Sequence, residues 1–234
     1  MSARTPQQAS GGTRGRFLAF EGGEASGKST QAARLAARLG AVLTHEPGAT
    51  PVGEKLRSVL LDPLTPQMSV RAEALLLAAD RAQHVAEVIL PNLDSGCHVV
   101  TDRYMASSLA YQGFGRGLPL DEVRELSIWA TQGLLPDVTI LLDVPTEVAQ
   151  QRLTGRADRF EAEDGAFHRR VIEGYRTLAA SDPQGWVVID GTDTPDEVER
   201  VTWSVVLTRL PDLSAPAEAR AGDSTATQRS PDSP

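Results

Sequence analysis

Apolar and polar positions follow two rhythms along most of the chain: short apolar runs alternate with longer segments of helical periodicity. The apolar runs are short and largely uninterrupted, which predicts strands that are covered on both faces. These predicted strands span residues 16–20, 41–44, 97–101, 138–143 and 186–189. The predicted helices between them span residues 28–39, 52–61, 70–92, 106–112, 121–132, 146–153, 166–179 and 195–209.

Strands that alternate with helices need crossover connections, and crossovers produce parallel pairing. The pattern therefore predicts a doubly wound α/β fold, with a five-stranded parallel sheet and helices on both faces. One domain is expected over residues 16–210. Residues 1–15 and 211–234 are rich in small polar residues without apolar periodicity, so we predict disordered tails at both ends.

Composition restricts the choice of partners and compartment. The 234 residues carry a formal net charge of -8, which argues against a nucleic-acid polymer or an anionic membrane surface as the main partner. A local arginine cluster still permits a small anionic substrate. The first fifteen residues lack the apolar core of a signal peptide, so we expect a cytoplasmic protein. The single cysteine, Cys97, is interpreted as a buried strand residue.

A glycine-rich loop with phosphate-binding chemistry follows the first predicted strand. Gly22 and Gly27 enclose four residues and are followed by Lys28 and Ser29, the pattern Gly-x-x-x-x-Gly-Lys-Ser. We expect Lys28 to reach the terminal phosphates of a nucleotide and Ser29 to ligate Mg²⁺. The alternative is a surface turn, but a strand before the loop and a helix after it favour phosphate binding. The expected contact set is Gly22, Gly23, Glu24, Ala25, Ser26, Gly27, Lys28, Ser29 and Thr30.

Two charged residues follow the third predicted strand, near the edge where that loop must lie. Asp102 is well placed to hold magnesium or to orient the attacking group, and Arg103 to clamp a phosphoryl oxygen. In the alternative, Asp102 caps the helix that starts near Tyr104, and Arg103 pairs on the surface. Position alone leaves both open.

Four motifs in order resemble those of bacterial thymidylate kinases, over about residues 16–200. The signature is Asp102-Arg103-Tyr104-x-x-Ser107-Ser108-x-Ala110-Tyr111-Gln112. Residues 44–51 resemble the family's Glu-Pro-Gly loop, residues 78–85 its Asp-Arg helix and residues 158–161 its lid motif.

The resemblance implies a P-loop nucleoside monophosphate kinase fold with a lid at about residues 152–163. It implies Mg²⁺-dependent transfer of the γ-phosphoryl group of ATP to dTMP, giving ADP and dTDP for dTTP and DNA synthesis. That reaction requires positioning and charge neutralisation rather than a side-chain nucleophile. The family is generally homodimeric, so a homodimer is expected.

The resemblance also assigns acceptor contacts. It implies that Arg81 and Arg103 hold the acceptor phosphate, that Glu24 lies near the sugar 3′-hydroxyl or the metal, and that Tyr111 packs on the deoxyribose. The expected acceptor set is Glu24, Glu46, Pro47, Leu77, Arg81, Arg103, Ser107, Ser108, Tyr111 and Gln112. Ser108 and Gln112 are candidates to read the polar edge of thymine. Alternatively, Arg81 extends to the surface, and Tyr111 and Gln112 are ordinary core residues.

The catalytic cation is expected in the lid. Some thymidylate kinases carry an arginine inside the phosphate loop, whereas this chain has Ala25 there. The resemblance then implies that Arg152, Arg156 or Arg159 stabilises the transferring phosphoryl group. The expected catalytic set is Lys28, Asp102, Arg103, Arg152, Arg156 and Arg159, with Ser29 and Asp102 as metal ligands. The alternative is a solvated helix end whose arginines pair with nearby acids.

Three departures from the family pattern affect base preference. Leu77 stands where an aromatic residue commonly stacks on the base, His45 replaces an arginine and Ala49 replaces a glycine. The resemblance implies a cis peptide bond between Glu46 and Pro47, whereas the sequence alone favours trans. Two other functions stay open: a kinase for another monophosphate such as dUMP, and a nucleotide-binding regulator without transfer.

Overall fold

The structure is a computed structural model that describes residues 14–65, 67–152 and 158–214. The strands are β1 (Phe17–Glu21), β2 (Val42–His45), β3 (Val99–Asp102), β4 (Val138–Asp143) and β5 (Trp186–Asp190). The α-helices are α1 (Lys28–Leu39), α2 (Pro51–Leu61), α3 (Val70–His84), α4 (Leu90–Asp94), α5 (Met105–Ser108), α6 (Leu120–Thr131), α7 (Thr146–Arg152), α8 (Gly165–Ser181) and α9 (Pro195–Arg209). Two π-helical segments span Val85–Ile89 and Leu109–Gly115.

The strands of the described residues form one parallel sheet in the order β2-β3-β1-β4-β5. This confirms the predicted doubly wound α/β fold. Strand β1 lies in the centre of the sheet and pairs with β3 on one side and with β4 on the other. Such a switch in strand order opens a crevice at the carboxyl ends of the strands, where ligands bind in this architecture.

Alternating residues of β1 belong to two core layers, as a strand covered on both faces requires. Phe17 and Ala19 pack into the layer that also contains residues of α8 and of the two π-helical segments. Leu18 and Phe20 pack into the layer beneath α1 and α9. The sheet is therefore rigidly held from both sides, which fixes the loops that follow its strands.

Cys97 is a corrected prediction. It was expected inside a buried strand, but it is exposed, and β3 begins two residues later at Val99. The backbone N–H of Cys97 donates to the carbonyl of Asn92 at 2.9 Å, so the residue closes the turn after α4. An apolar run does not mark where a turn ends and pairing begins, which explains the error.

The helix predicted over residues 70–92 is divided by a π-helical segment. Pro91 has no N–H to donate and its ring crowds the preceding turn, and the N–H of Leu90 bonds to the carbonyl of Val85, five residues back. The helix predicted over residues 106–112 is likewise α5 followed by the π-helical segment Leu109–Gly115.

The ordered part continues past the predicted boundary at residue 210. Pro211–Ser214 form a 3-10 turn in which Leu213 is buried, and Arg16 donates to Asp212 at 2.9 Å. The remaining residues of both predicted tails lie outside the described ranges. Among the helices in the described ranges, none is long and apolar enough to cross a membrane.

Candidate active site

The predicted phosphate loop connects β1 to α1, as its sequence context indicates. Gly22 and Gly27 have φ angles of 147° and 92°, in the region that favours glycine. A Cβ atom on Gly22 would lie 2.7 Å from the carbonyl oxygen of Leu142, so this position also needs glycine for space. Ala25 has a φ of 50°, a left-handed conformation that is uncommon for alanine. The loop is thus shaped to present the N-terminus of α1 to an anion.

Lys28 is buried at the start of α1. Its Nζ donates to the carbonyl of Gly23 at 2.6 Å and to Ser26 Oγ at 3.3 Å. Burial and the charge of Arg103 lower the pKa of Lys28 to about 8, against the opposing attraction of Glu24 and Asp102. The ammonium group therefore lies inside the loop, next to the position that a phosphate would take.

Ser29 and Asp102 meet, as predicted for metal ligands. Ser29 Oγ donates to Asp102 Oδ2 at 2.5 Å, and Asp102 Oδ1 is buried without a partner in the described residues. Hydroxyl and carboxylate oxygens are the ligands that Mg²⁺ prefers. No group of three or more acidic, histidine or cysteine side chains in the described ranges forms a metal cage. The pair fits Mg²⁺ that takes its other ligands from phosphates and water.

Arg103 joins the phosphate loop to the neighbouring helical segments. Its guanidinium donates to Gly22 O at 3.0 Å and to Glu24 Oε1 at 2.7 Å. It also donates to Ser107 Oγ, Tyr111 Oη and Tyr175 Oη, each at 3.2 Å. Despite burial, the charge of Glu24 raises the pKa of Arg103 well above its ordinary value. Arg103 has a φ of 72° and is therefore held in an uncommon backbone conformation.

Glu24 is the acid that pairs with this arginine. Its Oε1 accepts from Arg103 Nη2 at 2.7 Å and from the Tyr111 hydroxyl at 2.6 Å. Burial opposes ionisation of Glu24, but the charges of Arg103 and Lys28 outweigh it and lower its pKa to about 2. Glu24 is thus a fixed carboxylate between the loop and the residues predicted to contact the acceptor.

The helix after β3 is capped by Glu21, which the sequence analysis missed. Glu21 Oε1 accepts from the backbone N–H groups of Tyr104 and Ser107 at 2.9 and 3.1 Å, and Oε2 accepts from Ser107 Oγ at 2.6 Å. Burial raises the pKa of Glu21. Asp102 makes no such capping bond, so the alternative reading of Asp102 as a helix cap is wrong. An acid at the end of a fully apolar strand was the available signal.

A first cleft, which we call the acceptor cleft, has a volume of about 590 Å³. All the predicted acceptor residues line it, which brings together residues from four separate parts of the chain: Glu24, Glu46, Pro47, Leu77, Arg81, Arg103, Ser107, Ser108, Tyr111 and Gln112. Arg57, Leu61, Tyr104, Asp158 and Phe160 complete its walls. Aromatic, aliphatic and polar side chains in one concave site are typical of small-molecule binding.

Arg81 is buried at this cleft, so its reading as a surface arginine is wrong. Only 2% of it is exposed, and its Nε donates to Glu46 Oε2 at 2.8 Å. Its Nη2 donates to Ser108 Oγ at 3.1 Å and to Tyr104 O at 3.2 Å. Glu46 Oε1 also forms a hydrogen bond with His84 Nδ1 at 2.9 Å. Arg81 therefore lies beside the expected base-reading residue Ser108, apart from the phosphate loop contacts of Arg103.

Two of the three departures from the family pattern lie on or beside this cleft. Leu77 lines it, and His45 lines the adjoining cleft. The third departure, Ala49, is not among the described residues with a positive φ, so its backbone conformation does not require glycine. The bond between Glu46 and Pro47 is cis, as the resemblance implied.

A second cleft, the donor cleft, lies over the phosphate loop and is lined by the loop residues from Glu24 to Thr30. Asp102 and Arg152 also line it. The two clefts share Glu24, Glu46, Arg57, Arg103 and Asp158, so they meet beside the loop. Arg57, which the sequence analysis missed, donates to the carbonyl of Pro47 at 2.8 Å. A basic residue on the exposed face of α2 gives no such signal before the fold is known.

The lid arginines have separate environments. Arg152 donates to the carbonyls of Gly191 and Thr192 at 2.8 and 3.2 Å. Arg159 donates to the carbonyl of Leu60 at 2.7 Å and pairs with buried Glu73 at 2.7 Å. The surface-pairing alternative is therefore wrong for Arg159, whose partner is a buried acid of α3. Arg156 lies outside the described residues.

Sequence comparison identifies the family. A sequence model of thymidylate kinase matches residues 20–201. The chain belongs to the thymidylate kinase family. It is 48% identical over 209 residues to the thymidylate kinase of Synechococcus sp. (strain JA-2-3B'a(2-13)), covering 86% of this chain and 99% of that protein. It is 45% identical over 204 residues to the thymidylate kinase of Deinococcus radiodurans, covering 84% and 98%.

A thymidylate kinase of Carboxydothermus hydrogenoformans is 46% identical over 192 residues, covering 79% of this chain and 93% of that protein. Family membership over this length makes the chain a kinase and confirms the resemblance stated from its motifs. The residue roles that the resemblance implied stay predictions.

Proposed function

We propose that this member of the thymidylate kinase family transfers the γ-phosphoryl group of ATP to the 5′-phosphate of dTMP, giving ADP and dTDP. The observation that carries the proposal is that Arg103 and Glu24 line both clefts. A donor phosphate on the loop and an acceptor phosphate in the other cleft would then meet at one guanidinium group. Holding two anions in line at fixed distance is the main requirement of phosphoryl transfer.

On the donor side, Lys28 and the N–H groups of the loop bind the phosphates. Mg²⁺ held by Ser29 and Asp102 would neutralise charge on the donor phosphates when bound. Asp102 Oδ1, buried without a partner in the described residues, supports this assignment. An acceptor phosphate is already anionic near neutral pH, so no strong general base is required.

On the acceptor side, the geometry favours different roles for Arg103 and Arg81, whereas the resemblance implied that both hold the acceptor phosphate. Arg103 binds the acceptor phosphate, since it lies at the junction of the clefts. Arg81 is bonded to Ser108 and neutralised by Glu46, so we assign it to the base end of the cleft. Tyr111, held by Glu24, packs between the two ends against the deoxyribose.

The lid supplies the remaining cation. Arg152 lines the donor cleft, whereas Arg159 pairs with Glu73 through Nη1 and keeps a buried Nη2 without a partner in the described residues. Arg152, Arg156 and Arg159 therefore all stay candidates for direct contact with the transferring group. Alanine substitution of Arg152, Arg156 and Arg159 in turn is expected to lower turnover by orders of magnitude in at least one variant. Near-normal turnover in all three would refute a catalytic lid arginine.

The test of the activity is an acceptor panel. ADP formation is measured with ATP, Mg²⁺ and each of dTMP, dUMP, dCMP, dAMP and dGMP, and dTMP is expected to give the highest kcat/KM. A better acceptor in the panel, such as dUMP, would refute dTMP as the substrate and leave a kinase of another specificity. ATP binding without turnover on any acceptor would favour a non-catalytic regulator.

A homodimer is proposed on the family resemblance and on an exposed apolar surface. Leu75 on α3 and Ile128 and Trp129 on α6 are exposed large apolar side chains. Sedimentation equilibrium is expected to give a mass twice that of the chain. A mass equal to one chain at micromolar concentration would exclude the dimer.

A further inference from the structure

Glu73 connects the acceptor cleft to the lid motif. It lies in α3, is only 1% exposed and is bonded to three side chains from other segments. Those side chains belong to the base-reading candidate Gln112, to Arg116 at the end of a π-helical segment and to the lid residue Arg159. A buried carboxylate with this many partners is costly unless every bond is made, so the arrangement specifies its partners' positions.

The first consequence concerns the side-chain amide of Gln112. Its Nε2 donates to Glu73 Oε1 at 2.9 Å, and its Oε1 is buried without a partner in the described residues. Glu73 pairs with two guanidinium groups and is therefore a carboxylate, which only accepts hydrogen bonds. A rotation of the Gln112 amide by 180° would place its carbonyl oxygen against the carboxylate oxygen of Glu73, and the two oxygens would repel each other. Its carbonyl oxygen is thereby fixed as the atom left for a ligand in the acceptor cleft.

The second consequence concerns the lid. Glu73 Oε2 lies 2.7 Å from Arg159 Nη1 and 3.2 Å from Arg116 Nη2. Arg116 also forms an ion pair with Glu163, which follows the lid motif in sequence. The chain on both sides of Phe160, which lines the acceptor cleft, is thus tied to the carboxylate that orients Gln112.

We propose that Glu73 is a positioning residue that makes Gln112 a hydrogen-bond acceptor for the base and docks the lid motif beside it. A pyrimidine with an N3–H, such as thymine, then finds an acceptor, whereas cytosine offers a bare N3 that meets oxygen with oxygen. A site that leaves a buried polar group unpaired with the wrong substrate discriminates strongly. The inference rests on the proposed function, because it needs dTMP in the acceptor cleft.

The test is the ratio of kcat/KM for dTMP over dCMP in Glu73→Gln. A glutamine at position 73 presents N–H or C=O, so Gln112 can turn over and donate to N3 of cytosine. The ratio is expected to fall by at least about 10-fold, chiefly through a higher KM for dTMP. Backbone hydrogen exchange over residues 158–164 is expected to accelerate in the same variant.

Two controls separate the outcomes. Glu122→Gln removes an exposed acid of α6 that pairs with Arg71 at 3.4 Å, and should change neither the ratio nor the exchange. Arg159→Gln should accelerate exchange in the lid while the ratio stays within about twofold, since Glu73 keeps its bond to Gln112.

Folded Glu73→Gln with the wild-type ratio would overturn the proposal. If that variant fails to fold, Glu73→Asp decides, because it keeps the charge for both arginines but withdraws the carboxylate from Gln112; an unchanged ratio there overturns the proposal equally. A wild-type protein without dTMP turnover would instead refute the proposed function.

Discussion

The acceptor cleft and the donor cleft differ in how far the protein has satisfied its own charges. In the acceptor cleft, Arg81 is matched by Glu46 at 2.8 Å, and both side chains are buried. Beside the cleft residue Phe160, Arg159 pairs with buried Glu73 at 2.7 Å. In the donor cleft, Asp102 Oδ1 has no partner in the described residues, and Lys28 bonds only to its own loop. The charged side chains of the acceptor cleft are thus paired before any ligand arrives, although the neutral Gln112 Oε1 has no partner in the described residues. The donor cleft instead keeps charged groups that a nucleotide and metal would satisfy. We therefore expect acceptor binding to depend on the fold alone and catalysis to require the bound donor.

The largest effect is expected from Lys28→Ala on the donor side. Loss of the one ammonium group inside the loop removes charge stabilisation of the transferring phosphoryl group, so kcat should fall by about 10²–10³-fold. The Kd of dTMP in the absence of ATP should stay within about twofold, because the acceptor cleft is complete without Lys28. Rapid-quench measurement of ADP formation checks the predicted fall in kcat, and titration of dTMP checks the predicted Kd. A parallel loss of dTMP affinity would show that the clefts are not separable.

Arg103→Lys probes the point where the clefts meet. A lysine keeps the charge but cannot replace the planar fork that contacts Gly22, Glu24, Ser107, Tyr111 and Tyr175. We expect kcat/KM for dTMP to fall by about 100-fold, with both KM and kcat affected. Steady-state kinetics with each substrate varied in turn measures this. A change confined to the KM of ATP would remove Arg103 from the acceptor side.

Asp80→Asn tests the cost of the charges buried beside the acceptor cleft. Asp80 is 1% exposed, its Oδ1 accepts from the Gly48 N–H at 2.9 Å, and its Oδ2 has no partner in the described residues. Burial, followed by the charge of Glu46, raises its pKa to about 6. Because the pKa of Asp80 is higher in the folded than in the unfolded protein, the protonated side chain does not destabilise the fold below about pH 4. The free energy of unfolding falls as pH rises through about 6, where Asp80 ionises in the folded protein. Asparagine keeps the acceptor oxygen without the charge.

At about pH 8, Asp80→Asn should therefore raise the free energy of unfolding by up to about 3 kcal/mol. Below about pH 4, the variant and the wild type should have the same free energy of unfolding. Urea denaturation at several pH values measures the difference. A variant that is less stable than wild type at pH 8 would show that the charge of Asp80 stabilises the fold.

Arg57→Ala should have the smallest of these effects. Arg57 is exposed, so solvent screens its charge, yet it lines both clefts and holds the carbonyl of Pro47. A fall of about 10-fold in kcat/KM for dTMP is expected, with unfolding unchanged. The exposed arginine Arg71, replaced by alanine in parallel, should leave the kinetics as they were. Equal kinetics for the two variants would exclude Arg57 from the site.

The sequence predicted the donor cleft better than the acceptor cleft, and for a physical reason. The phosphate loop is contiguous from Gly22 to Thr30, so one local pattern states its strand, its turn and its helix N-terminus. Asp102, the last residue of β3, was predicted at this edge of the sheet from topology alone. The acceptor cleft instead depends on residues far apart in sequence, and its membership came from the family resemblance rather than from periodicity.

What the sequence did not predict lies in tertiary pairing. The resemblance implied a phosphate contact for Arg81, and nothing in the sequence indicated its bonds to Glu46, 35 residues away, and to Ser108, on which the proposed role at the base rests. Glu73 gave no signal, since an acid in the first turn of a helix usually faces water. Glu21 and Arg57 were missed for the same reason: their roles depend on what the fold brings against them.

The most direct test of the difference between the clefts is the binding of dTMP without a donor. Isothermal titration of dTMP in magnesium-free buffer lacking ATP is compared with the same titration in Mg²⁺ and a non-hydrolysable ATP analogue. A preformed acceptor cleft predicts Kd values within about threefold of each other. Binding that is detected only with the analogue and Mg²⁺ would contradict it, because the acceptor cleft would then be assembled by the donor.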